Sequence, residues 1–108
     1  MTDNVVRAEE VVEYLRQRLS AEGLSATFEF PLYEHPCGVD VEFPAGGGPH
    51  LEISAAFAEV RVLDPVDFGL SLTDLGDYVV MLARGVPPKD ALKVLQGKDR
   101  RARWWRRR

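Results

Sequence analysis

Val39-Asp40-Val41-Glu42-Phe43 alternates apolar and acidic residues with a period of two. That is the pattern of a strand with one face in a core and the other in water. The reading extends in both directions. Upstream, Ala26, Phe28, Phe30 and Leu32 alternate with Thr27 and Glu29. Pro31, Pro36 and Pro44 fall at the margins of these runs, where a ladder loses least from a missing N–H. Downstream, Ala45-Gly46-Gly47-Gly48-Pro49 reads as a turn or loop. In Leu51–Leu63 the apolar phase slips: Leu51, Ile53, Ala55 and Phe57 are odd, whereas Ala58, Val60 and Val62 are even. A bulge or tight turn near Phe57 and Ala58 is the expected cause, and Asp64-Pro65 is expected to stop the strand.

Helices flank this alternating centre. Ala8, Val11, Val12, Leu15 and Leu19 form one stripe at helical period, with Asp3 or Asn4 as the expected cap and Gly23 as the stop. Leu72, Leu75, Val79 and Leu82 mark a second helix, capped by Ser71 or Thr73 and ended by Gly85. Pro87-Pro88 opens a short third helix carrying Ala91, Leu92, Val94 and Leu95, which Gly97 is expected to close. The expected architecture is α+β: a helix, a three- to four-stranded antiparallel sheet, and two C-terminal helices packed on one sheet face, followed by a basic C-terminal tail. The expected core is Leu15, Leu19, Phe28, Phe30, Val41, Ile53, Val60, Val79 and Leu82.

At 108 residues the chain is sized for one domain with one core. Its apolar runs are only a few residues long, against the roughly 20 a membrane span requires. Asp3, Glu9 and Glu10 break up the opening residues, so no signal segment is expected. A single cysteine, Cys37, cannot form an internal disulfide, which fits a reducing, cytoplasmic setting. The abundance of Arg, Val, Ala, Gly and Leu over Lys, Ile and Asn fits a GC-rich genome.

The net charge of −3 conceals a division. Residues 1–97 hold 16 acidic and 7 basic residues, a formal charge of −9; residues 98–108 hold 7 basic residues and one acid, Asp99, a charge of +6. The expected organisation is therefore an acidic α+β domain over 1–97 and an Arg/Trp-rich basic tail over 98–108.

The tail supplies the candidate site: Arg100, Arg101, Arg103, Trp104, Trp105, Arg106, Arg107 and Arg108. Guanidinium groups pair with phosphates, and indoles stack on bases or rest among lipid headgroups. The favoured ligand is nucleic acid, bound by charge and stacking without reading its sequence. An anionic membrane surface, the chain's own acidic body and a partner protein are the other surfaces that such a segment suits.

Elsewhere the chemistry is sparse. His35, Cys37 and His50, with Glu34 or Asp40, are donor types for zinc, but they lack the paired short spacing of a zinc site, so neither a metal nor a cofactor is expected. A Cys37–His35 nucleophile pair lacks an orienting third group. Asp67-Phe68-Gly69 and Gly46-Gly47-Gly48 match short motifs of kinases and phosphate loops without the residues that make those motifs work. Asp40 and Glu42 share one strand face about 7 Å apart, a spacing that solvated acidic strands also show.

The helix–strands–helix order with Gly48-Pro49-His50 vaguely resembles a double-stranded-RNA-binding domain. That family places a lysine cluster at the start of its last helix; here Lys89 is followed by Asp90 and Lys93, and the body is acidic, so no site is carried over.

The expected function is non-enzymatic: a binding or accessory protein whose acidic body docks a protein partner while its Arg/Trp tail touches nucleic acid or another anionic surface. The alternative is an acidic inhibitor of immunity, antitoxin or phage counter-defence type that covers a basic site on its target.

Overall fold

A computed structural model of the chain describes residues 2–32, 37–63 and 67–107, with side chains for 3–30, 37–63 and 67–97. Its elements in chain order are α1 (Thr2–Ala21), β1 (Thr27–Leu32), β2 (Cys37–Glu42), β3 (His50–Ile53), β4 (Val60–Val62), β5 (Phe68–Leu70), α2 (Leu72–Ala83) and α3 (Pro88–Arg107). The fold is α+β. The sheet is an antiparallel meander in the order β1-β2-β3-β4-β5, so it has five strands rather than three or four. The additional strand contains Asp67-Phe68-Gly69, which pairs with β4 through Val62↔Phe68 and Arg61↔Gly69. A three-residue strand is too short to show a period, which is why the triplet reads only as a stray motif in the sequence. The five-strand meander also departs from the strand number of a double-stranded-RNA-binding domain.

The phase slip in Leu51–Leu63 is a hairpin. β3 ends at Ile53, β4 begins at Val60, and residues 54–59 turn between them. Asp64-Pro65, the expected strand stop, lies outside the described residues, as do Glu34, His35 and Pro36. The turn is tied to α1: the Ala55 N–H donates to Asn4 Oδ1 at 2.8 Å, and Arg7 Nη2 donates to the Ala58 carbonyl at 3.3 Å. Asn4 is therefore not the cap that its position suggested. The helix begins at Thr2, and Asn4 is buried within it, holding a loop 51 residues away. At α2 the capping expectation holds, with Ser71 Oγ accepting from the Asp74 N–H.

The core lies between the sheet and α1 and α2. Ala8, Val11, Val12, Leu15 and Leu19 of α1 are buried against Phe28, Cys37, Val39, Val41, Leu51, Ile53, Val60 and Val62 of the sheet, with Leu75, Tyr78 and Val79 from α2. Phe68 meets Tyr78 edge-to-face at 5.5 Å, an arrangement that aromatic quadrupoles favour. Seven of the nine expected core residues are buried; Phe30 and Leu82 are only partly so and pack against the cluster from its margin. The helices approach closely at Gly76, where a Cβ would stand 2.5 Å from Arg18 Nη1 and 3.1 Å from the Tyr14 ring. Arg18 bridges the same crossing to Asp77 at 2.8 Å.

Gly97 does not close the last helix. α3 continues through it to Arg107, 20 residues in all. An interior glycine costs a helix about 1 kcal/mol relative to Ala, and the Lys, Arg and Ala residues that follow are good helix formers that outweigh it. Ala91 and Leu95 bury the first half of α3 in the core cluster, where it contacts α2.

Candidate functional site

α1 and α2 pack on one face of the sheet, and among the described residues no helix covers the other face. Because strand side chains alternate, each residue between two that face the core points outward. Glu29, Asp40, Glu42, His50, Glu52, Arg61 and Gly69 occupy such positions, and the ladder aligns them in rows: Glu29↔Asp40↔His50 and Gly38↔Glu52↔Arg61↔Gly69. Glu59 joins the same face, since its carboxylate lies over Gly69. Asp67 joins it through an ion pair with Arg61. Among the described residues, six carboxylates thus share the open face with one arginine and one histidine.

Their immediate partners are few. His50 Nδ1 and Asp40 Oδ1 are 2.5 Å apart across the β2–β3 ladder. The ring lies over Gly38, where a Cβ would meet it at 3.3 Å, so the glycine makes room for the imidazole. Arg61 pairs with Asp67 and stands 3.9 Å from Glu52. The Asp67 hydrogen bond, reinforced by its charge, holds the Arg61 guanidinium above its ordinary pKa, so Arg61 stays cationic. The remaining carboxylates, Glu29 and Glu42 among them, face water. Adjacent strands are about 4.8 Å apart and same-face residues about 7 Å apart along a strand. This is a grid of negative charge on a rigid support.

The zinc-donor residues are divided by the sheet. Cys37 points into the core at 0% exposure, whereas its ladder neighbours place Asp40 and His50 on the opposite face. Burial pushes the Cys37 thiol above its ordinary pKa, and the charge of Glu9 adds to the rise, so the thiol is a neutral core group at physiological pH. His35 and Glu34 lie outside the described residues. Asp40 and Glu42 do share the expected strand face, with Asp40 engaged by His50.

A concavity of about 400 Å³ opens between the 43–49 loop and the α2–α3 connection. Phe43, Pro49, Leu82, Val86 and Pro87 line it together with glycines of the loop, and none of its lining residues titrates. It offers apolar surface but no acid, base or nucleophile.

For the tail, the structure gives a backbone. Residues 98–107 continue α3, so Arg100, Arg101, Arg103, Trp104, Trp105, Arg106 and Arg107 lie on a helix; their side chains, and Arg108 altogether, lie outside the described residues. Among the described residues no helix is long and apolar enough to cross a membrane. Reading the sequence alone missed the acidic face as a unit. Asp40 and Glu42 were legible as a pair on one strand, but Glu29, Glu52, Glu59 and Asp67 join them only through strand pairing. No family model, curated protein or solved structure matches the chain.

Proposed function

We propose that the chain is a non-enzymatic docking protein whose open sheet face seats on a basic surface of a protein partner, while its Arg/Trp helix end contacts an anionic surface. The observation that carries this reading is the uneven charge of the uncovered face: among the described residues, six carboxylates against a single arginine, five strands wide. A carboxylate grid on a sheet is preorganised, so it loses little side-chain and backbone freedom on binding, and it steers a basic partner by long-range attraction. The same face suits the inhibitor role, in which it would cover a basic site on a target. The cleft between the 43–49 loop and the α2–α3 connection fits the non-enzymatic side, since its lining presents no titratable group.

The test is a pull-down from nuclease-treated lysate of the native host, comparing the wild-type chain with a Glu29→Lys/Glu42→Lys variant. Both positions are exposed, so the fold should survive the change. A protein captured by the wild type and lost with the variant is the expected result. Equal capture by both chains would place the docking surface elsewhere.

A further inference from the structure

We infer that the open sheet face accepts the basic end of α3 from a second copy of the chain; this rests on the reading of that face as a docking surface. Charge complementarity is the first ground. Residues 98–108 carry a formal +6, and among the described residues the open face carries six carboxylates against one arginine. No other stretch of the chain concentrates positive charge: the seven basic residues of 1–97 are scattered singly among 16 acids.

Geometry supplies the second ground, and it selects contact between copies over contact within one. α3 contacts α2, on the side of the sheet that the helices cover, and runs as one helix to Arg107. Residues 98–107 extend it by roughly 15 Å at 1.5 Å per residue. To reach the open face of its own sheet, the segment would have to break α3 and double back around an edge. A second copy meets no such obstacle.

The spacings also agree. On the helix backbone, Arg100, Arg103, Trp104 and Arg107 fall at i, i+3, i+4 and i+7, a single stripe. It lies on the side opposite Ala91 and Leu95, which are spent against α2. Neighbours on such a stripe are about 5–6 Å apart, close to the roughly 5 by 7 Å grid of the sheet face. A helix laid across β1–β3 sets its arginines against Glu29, Asp40, Glu42 and Glu52. Bidentate guanidinium–carboxylate pairing is the strongest form such contacts take. Nucleic acid is the competing occupant of the stripe, but it would have to approach a chain whose remaining 97 residues carry −9.

Sedimentation velocity on the full chain tests the contact, with two charge-reversed variants as controls. One is Arg100→Glu/Arg103→Glu/Arg107→Glu; the other is Glu29→Lys/Glu42→Lys. The wild type is expected to self-associate at about 10 mM ionic strength and to weaken by an order of magnitude or more at about 150 mM, as the Debye length falls from about 30 to about 8 Å. Each variant alone is expected to be monomeric, and an equimolar mixture of the two is expected to associate again, because the mixture restores one arginine stripe and one acidic face. A Glu29→Gln/Glu42→Gln variant, which removes charge without adding any, should show intermediate weakening and guards against misfolding in the lysine form. A wild type that remains monomeric at low salt overturns the inference, as does a mixture that fails to associate. If that monomer instead binds a labelled single-stranded oligonucleotide through the arginines, the stripe serves nucleic acid. Loss of a host partner in the Glu29→Lys/Glu42→Lys pull-down, with a monomeric wild type, leaves the docking reading intact and removes only the second copy.

Discussion

Two adjacent rungs of one ladder carry opposite fates. Val39↔Leu51 lies under α1 with both residues at 0% exposure, while Asp40↔His50, one step along, looks into water. Backbone geometry and strand partners are the same for both. The residues differ only in which side of the pleat they occupy. The inner rung does its work by leaving water and filling volume. The outer rung contributes little to stability, because charges in high dielectric interact weakly, and it is free to be selected for what it presents to another molecule. Stability and recognition are thus stacked back to back on strands a few residues long.

The sharpest way to break that arrangement is to disturb the register that keeps the two faces apart. Gly48 ends the loop between β2 and β3 at φ +151, and a Cβ there would lie 1.8 Å from the Val41 carbonyl oxygen. That contact is with backbone and cannot be relieved by a side-chain rotation. Gly48→Ala should therefore cost about 3 kcal/mol or more, or prevent folding, because relief of the clash must move backbone, and a one-residue slip between β2 and β3 would turn the carboxylates of the slipped strand inward. Urea unfolding monitored by circular dichroism measures the loss; a wild-type midpoint would show that the loop does not govern the register.

The rungs themselves give the next contrast. Leu51→Ala removes buried volume and should cost about 2–5 kcal/mol, whereas His50→Ala, one residue away, should cost less than about 1 kcal/mol, since its partner Asp40 is half exposed. Thermal melts of the two variants suffice. Similar losses at both positions would mean that the outer rung is structural.

The smallest effect concerns Cys37, the first residue of β2, which faces the core as Val39 does. Its folded pKa is raised by burial, so the folded chain holds its proton where the unfolded chain has begun to lose it. A raised thiol pKa contributes nothing to the pH dependence below the ordinary thiol value. Above about 8.5 it makes stability fall as pH rises, because the unfolded state then binds fewer protons. Urea midpoints measured from about pH 8 to about pH 10 should decline more steeply for the wild type than for Cys37→Ala. Parallel declines would place the thiol in contact with water.

Much of this fold is legible without coordinates, and the reason is periodic. The stripe of α1, the alternation in β1 and β2, the Ser71 cap and the break between β3 and β4 all leave marks within a dozen residues of sequence. Where the signal is shorter than its period, or where another part of the chain decides, the sequence is silent. β5 is too short to alternate. Asn4 looks like a cap because its partner is 51 residues away. Gly97 looks like a stop because a lone glycine often is one, yet the helix formers beyond it carry α3 onward.

The local residue pattern settled that the protein pairs amphipathic helices with half-buried strands, and that its one run of net positive charge is the last eleven residues. Only the tertiary structure decided that Glu29, Asp40, Glu42, Glu52, Glu59 and Asp67 form one face, and that Cys37 and His50 stand on opposite sides of the sheet. The reason is that facing in or out is a property of each strand alone, whereas adjacency across strands is set by pairing partners that local sequence does not name.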